Sequence, residues 1–168
     1  FDDARKIEAL SGVHPTGLDS LPIEDAVQLD TLKTVAAIKG IQSFNGVAGC
    51  HRYIISQCHG AVNVMEVFAM FLLAGYNEEA IEVDIVPLFE TIDDLRKAGP
   101  VMEMLYNLPA YRKHLGRRRN HQTIMLGFSD GTKDGGYLMA NWSIYKAKEE
   151  LTALSRHYDI EVVFFDGR

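Results

Sequence analysis

Two hydrophobic rhythms alternate along this chain. Four short segments are dominated by apolar residues: Arg52-Tyr-Ile-Ile-Ser56, Glu82-Val-Asp-Ile-Val-Pro-Leu-Phe-Glu90, Gln122 to Phe128, and Ile160-Glu-Val-Val-Phe-Phe165. Short apolar runs rich in Ile, Val and Phe predict buried strands, and the second is too apolar for a surface hairpin. Between them the apolar positions switch to helical spacing. Asp2 to Leu10 reads as a short amphipathic helix, and Leu29, Leu32, Val35, Ala36 and Ile38 carry a second to about Phe44. Ala61 to Ala74 is apolar almost all round, which predicts a well-covered helix. After the third strand a long helix is expected, with Leu138, Trp142, Tyr145, Leu151, Leu154 and Tyr158 marking one face.

Punctuation sets the boundaries. Gly12, Pro15, Gly17 and Pro22 make Ser11 to Pro22 a loop, with Ser20 as N-cap of the next helix and Pro22 in its first turn. Gly75 closes the apolar helix as a C-cap residue. Thr91 with Asp94 three positions on predicts a capping box, and Gly99-Pro100 predicts a helix restart with proline at its first position, continuing to about Asn107. Ala110 to Leu115 adds another turn or two, and Gly116-Arg-Arg-Arg-Asn120 reads as a solvated loop before the third strand.

Strands alternating with helices of this length predict right-handed βαβ units and a parallel sheet. The fold class is therefore α/β with extra N-terminal helices: residues 1–45 form a helical lead-in and 46–168 successive βα units. Four such units make half of an eight-stranded (β/α)8 barrel or a small open sheet. No GxGxxG or Walker fingerprint follows any strand, which argues against a dinucleotide or nucleoside-triphosphate fold.

Composition narrows the function classes. The chain has 168 residues, 47% of them hydrophobic, with a mean hydropathy of -0.06, enough for one globular domain with a real core. The longest apolar run, Val62 to Ala74, is too short for a membrane span and carries Asn63 and Glu66. A net charge of -6 argues against nucleic acid as the partner. Phe1 at one end and a strand running into Arg168 at the other read as cuts through a longer protein. Cys50 and Cys58 suit a reducing compartment. Each precedes a histidine (His51, His59), but that spacing matches no zinc site, so both are read as structural thiols.

The candidate chemistry centres on Leu126-Gly-Phe-Ser-Asp-Gly-Thr-Lys-Asp-Gly-Gly136, where a strand ends in a polar, glycine-punctuated turn before a long helix. α/β enzymes keep catalytic groups at such strand ends. In a parallel sheet the carboxyl-terminal rim would gather Ser56, Glu90, Ser129, Asp130 and, after the turn, Lys133 and Arg168. Two carboxylates from separate strands suit a hard cation such as Mg²⁺ or Mn²⁺, and Lys133 with Arg168 would hold an anionic substrate. Each residue alone has a plainer reading: Glu90 as a helix-dipole partner, Asp130 as an Asx-turn, Lys133 as a solvated side chain, the glycines as shapers of a tight turn. Together they indicate a metal-assisted enzyme acting on a small anion.

Val86-Pro-Leu-Phe-Glu-Thr-Ile-Asp-Asp-Leu95, the 126–136 block and Phe164-Phe-Asp-Gly-Arg168 together resemble the phosphoenolpyruvate carboxylase family, as do Tyr53-Ile-Ile-Ser56 and Ala140-Asn-Trp142. The likeness runs from about Phe44 to Arg168. It implies the middle of a metal-dependent (β/α)8 barrel that makes oxaloacetate and phosphate from phosphoenolpyruvate and bicarbonate, in a cytoplasmic homotetramer. It assigns the Mg²⁺ or Mn²⁺ ligands to Glu90 and Asp130, catalytic roles to Lys133 and Arg168, and substrate contacts to Ser129 and Arg168. One departure stands out: the family's histidine before Gly-Arg is Asp166 here. The family's essential histidine and mobile glycine-rich loop fall outside these residues, so the isolated fragment is expected to be inactive. The alternatives are another metal-dependent barrel acting on phosphoenolpyruvate or pyruvate, and a non-catalytic structural module.

Overall fold

The computed structural model describes residues 2–167. Its helices and strands follow in the order α1 (Asp3–Ser11), α2 (Ala26–Asn45), β1 (Arg52–Ile55), α3 (Ala61–Leu73), β2 (Asp84–Phe89), α4 (Ile92–Asn107), α5 (Pro109–Arg117), β3 (His121–Gly127), α6 (Ser129–His157) and β4 (Glu161–Gly167). The chain divides into two compact units. One takes everything up to Arg52 together with Met65–Val83, the other Tyr53–Val64 and everything from Asp84 on.

In the first unit, α2 buries Leu32, Val35 and Ile38, and the body of α3 buries Phe68, Phe71 and Leu72. The buried Tyr76 hydroxyl donates to the Val35 carbonyl at 3.2 Å, and the Tyr76 ring meets Phe71 edge-on. Gly75 adopts φ 86 as α3 ends, and the Gly75 and Tyr76 amides turn back onto the carbonyls of Leu72 and Phe71. That is the left-handed helix ending its position predicted. The expected start of α2 is displaced. Ser20 closes a 3-10 turn, Pro22 lies before the helix, and Asp25 is the N-cap, its carboxylate accepting from Val27 and Gln28 N–H at 2.8 and 2.9 Å. A carboxylate satisfies two orphan amides and the helix dipole together, which the Ser20 hydroxyl would do less well.

The second unit holds the sheet, with strands in the order β1-β2-β3-β4. β2 and β3 are parallel with Phe89 beside Leu126, and β3 and β4 are parallel with Met125 beside Phe165. Sequential parallel strands joined by helices are the arrangement the alternating pattern predicts, consistent with part of a (β/α)8 barrel. β2 is buried along nearly its whole length. At the sheet's amino-terminal end, Asp84 takes a 2.7 Å bond from Arg118, so one arginine of the basic loop serves a buried carboxylate.

Two helices depart from expectation. α4 does not restart at Pro100; it runs unbroken through it, opened by the expected Thr91–Asp94 capping box. Proline inside a helix loses a hydrogen bond and crowds the preceding turn. Here the buried face continues on both sides, through Leu95, Ala98, Met102 and Leu105, and that packing outweighs the local break. On α6 the buried stripe is Ala140, Ser143, Ala147, Leu151 and Ser155, while Leu138, Trp142 and Tyr145 are 81%, 59% and 56% exposed. α6 packs on α4, and close approach of two helix backbones selects the small residues for the contact. Leu138, Trp142 and Tyr145 are left facing outwards.

Candidate functional site

Glu90 follows the last residue of β2, and Ser129 and Asp130 follow the end of β3, so all three stand on the carboxyl-terminal rim of adjacent parallel strands. The polar turn after β3 is itself helical. α6 begins at Ser129 and is interrupted only at Gly136, whose φ of 81 no L side chain readily adopts. Ser129 to Gly135 is thus a short helical segment bent away from the long one, and it carries Asp130, Lys133 and Asp134.

The other glycines here work by closeness. A Cβ on Gly127 would lie 3.0 Å from Glu90 Cα and 3.2 Å from the Phe89 carbonyl oxygen. One on Gly131 would sit 3.4 Å from the Glu90 carbonyl oxygen, and one on Gly135 would lie 2.8 Å from the Ile92 side chain. The motif after β3 is pressed against the Glu90-Thr91-Ile92 turn after β2, with glycine at each point of contact. Asp134 completes the junction: its Oδ2 accepts the Ile92 N–H at 3.0 Å and satisfies an orphan donor in the first turn of α4.

Asp130 is half exposed, and its Oδ1 accepts from the Lys133 ammonium at 2.8 Å, one helical turn on. That hydrogen bond and its charge raise the Lys133 pKa above the ordinary lysine value, so the side chain stays cationic. Glu90 is partly buried, and its Oε2 accepts from the Gln57 backbone N–H at 3.4 Å. Gln57 is in the left-handed region (φ 52), on the loop after β1. Ser56 and Ser129 are exposed on the same rim. Arg168 lies outside the described residues. Asp166, which stands where the resembled family has histidine, pairs with Lys148 of α6 at 2.8 Å.

This donor set fits a hard divalent cation. Glu90 Oε1 and Asp130 Oδ2 are carboxylate oxygens not taken up in these hydrogen bonds, from neighbouring strand ends. Among the described residues no group of three or more His, Cys, Asp or Glu could hold a metal, so these residues would supply at most two such ligands. Mg²⁺ and Mn²⁺ accept that, filling their remaining positions with water and substrate oxygens. Lys133, bonded to Asp130, would compete with such a cation for the same carboxylate.

Two rim features escaped the sequence reading. His59 belongs to a cysteine-histidine pair that matches no zinc spacing, yet its Nδ1 lies 2.8 Å from Oδ1 of Asp94, which is only 5% exposed. Asp134 sits in the quoted motif without an assigned role. Neither contact leaves a trace in sequence spacing, because the partners are 35 and 42 residues apart. The thiols are buried or partly so; burial pushes the Cys58 thiol up to about 12, which makes it inert. No helix among the described residues is long and apolar enough to cross a membrane.

The family profile described as phosphoenolpyruvate carboxylase matches residues 5–168. Curated proteins of that name are similar: one from Nitrosomonas europaea is 43% identical over 84% of this chain, one from Nitrosomonas eutropha 40% over 92%, and one from Xanthomonas euvesicatoria 34% over 99%. The matched regions are 15%, 17% and 19% of those proteins, so the chain spans less than a fifth of the relatives it matches.

Proposed function

The chain belongs to the phosphoenolpyruvate carboxylase family, and from that premise we propose that it is a segment of the catalytic barrel of such an enzyme, one that converts phosphoenolpyruvate and bicarbonate to oxaloacetate and phosphate. The observation that carries this reading is the junction at Gly127, where the absence of a side chain lets the strand end leading to Asp130 lie against Glu90. In this reading two carboxylates on packed, adjacent strand ends would form a preorganised cation site rather than two unrelated surface charges.

In this reading Glu90 and Asp130 hold Mg²⁺ or Mn²⁺, which supplies positive charge to oxygen atoms of the reacting anions. Lys133 moves from Asp130 to the phosphate or carboxylate of the substrate, where its ammonium makes a charge-assisted hydrogen bond. Ser129, exposed at the first position of α6, offers a hydroxyl donor to the same anion. Arg168, outside the described residues, is proposed for the phosphoryl group on the motif resemblance alone. Asp166 is left without a catalytic role, since its carboxylate pairs with Lys148. The cytoplasmic homotetramer expected from the resemblance belongs to the same proposal.

Mn²⁺ titration of the 168-residue chain tests the site. Binding that is lost in both Glu90→Gln and Asp130→Asn supports the reading; binding that survives both substitutions overturns it. By itself the chain is expected to form no oxaloacetate, because four strands supply half of an eight-stranded rim. Oxaloacetate formation by the purified 168-residue chain would contradict that.

A further inference from the structure

The rim turn carrying Glu90 is also gripped from the side of β1, and the grip has two points. Gln57 N–H reaches Glu90 Oε2 at 3.4 Å, and two residues later His59 Nδ1 meets Asp94 Oδ1 at 2.8 Å. Both acceptors belong to one short stretch, the end of β2 and the capping box of α4. Asp94 is fixed there: its other oxygen accepts from the Thr91 hydroxyl at 2.7 Å and the Thr91 amide at 3.2 Å. The loop between the two points is held as well, with Asn63 Oδ1 accepting from the amides of His59 and Gly60 at 3.1 and 3.2 Å.

An exposed imidazole bound to a carboxylate that is 5% exposed forms an anchored contact rather than a loose surface pair. Such an anchor fixes the loop Ser56–Gly60 relative to Glu90. It keeps Gln57, a non-glycine residue at φ 52, in a conformation that a free loop would leave. The amide then fixes one carboxylate oxygen of Glu90 and leaves the other outside this hydrogen bond. Metal-ligating carboxylates are commonly held in this way by an outer hydrogen-bond partner, and loss of such partners weakens metal binding about 10- to 100-fold.

We propose that His59 is a positioning residue for Glu90: bound to Asp94, it locks the loop after β1 so that the Gln57 amide orients the Glu90 carboxylate toward its ligand. The inference rests on Glu90 serving as a cation ligand only for its functional consequence; the clamp itself is a statement about Gln57, His59, Glu90 and Asp94.

The test uses the full 168-residue chain, isotope-labelled, with two readouts. The first is the Gln57 amide resonance without metal. Glu90→Gln is expected to shift it strongly in the native background and much less in a His59→Ala background; equal shifts in both overturn the clamp. The second is Mn²⁺ affinity, expected to fall about tenfold or more in His59→Ala. His59→Asn, whose amide can stand in for Nδ1–H, should restore most of it. A His59→Ala chain that is less stable but binds Mn²⁺ as before overturns the positioning role and leaves only a structural cap. If the native chain binds no Mn²⁺, or Glu90→Gln binds it normally, the ligand reading of Glu90 fails, and the Gln57 resonance alone then decides the clamp.

Discussion

The Cα of Gly127 approaches the Glu90 backbone so closely that a methyl group there would lie 3.0 Å from Glu90 Cα. The nearest atoms are backbone atoms of a central strand, which cannot swing aside. Gly127→Ala should therefore part the ends of β2 and β3 and cost about 1–3 kcal/mol as overpacking. Urea denaturation reads the stability, and Mn²⁺ titration reads the site, where affinity should fall with it. An alanine variant as stable as the parent, with unchanged Mn²⁺ binding, would show that this approach does not shape the rim.

Asp134 makes the second tie across the same junction. Its carboxylate supplies the first turn of α4 with an acceptor that the capping box does not provide. Replacing a helix-capping acceptor with alanine costs about 1 kcal/mol. Asp134→Ala should lower the unfolding free energy measured in urea by that amount, while Asp134→Asn, which keeps an acceptor oxygen, should lose less. Equal effects would assign the contribution to charge at the helix start instead of to the hydrogen bond.

The contrast between these ties and the rest of the fold separates what a sequence can express from what it cannot. The strands, the Thr91–Asp94 box and the Gly75 ending were legible because each depends on neighbours in the chain. The strand-end placement of Glu90 and Asp130 followed from alternation alone, since parallel strands put their carboxyl ends on one face. Asp134, His59 and the close approach of Gly127 were not legible as contacts, because each is completed by a residue on a different βα unit. The face predicted for α6 holds only in part, with Leu151 buried but Leu138, Trp142 and Tyr145 exposed, for a related reason. Spacing picks out Leu138, Trp142 and Tyr145 as apolar, but the α4–α6 contact selects for size, and Ala140, Ser143 and Ala147 fit it. Pro100 failed as a boundary because burial on both sides of it outweighs its local penalty.

Asp94 gives the fold a pH dependence with a definite sign. Burial alone would push its carboxyl up, but the hydrogen bonds from His59 and from the hydroxyl and amide of Thr91, with the positive charge His59 can carry, hold it below the ordinary aspartate value. A carboxylate whose folded pKa is depressed contributes stability that is present above the unfolded value, about 4, and lost as pH falls through the folded one. The stability of the native chain should therefore drop below about pH 4 more steeply than that of Asp94→Asn. The variant should be less stable at pH 7, and the gap should narrow in acid. A gap that stays constant from pH 7 to pH 3 would remove Asp94 from the account of acid stability.

The exposed stripe on α6 makes the last prediction. Leu138, Trp142 and Tyr145 recur at helical spacing, the Trp142 and Tyr145 rings stack at 5.7 Å, and Tyr137 and Met139 extend the patch to the bend at Gly136. On the sheet, Val163 and Phe165 of the edge strand β4 are 37% and 50% exposed. Single exposed apolar residues are ordinary, but a contiguous aromatic stripe and a bare strand edge are surfaces on which proteins associate. The 168-residue chain should therefore self-associate as its concentration rises. Because the driving surface is apolar, added salt should not reverse the association, whereas ion-pair contacts would be screened. A Leu138→Ser, Trp142→Ser double variant removes two side chains that are mostly exposed, 81% and 59%, so it should keep the fold while shifting the sedimentation profile toward the monomer. Leu151→Ser, on the buried face of the same helix, should instead unfold the chain and worsen association. A native chain that sediments as a monomer at high concentration would show that the stripe and the strand edge are tolerated in water.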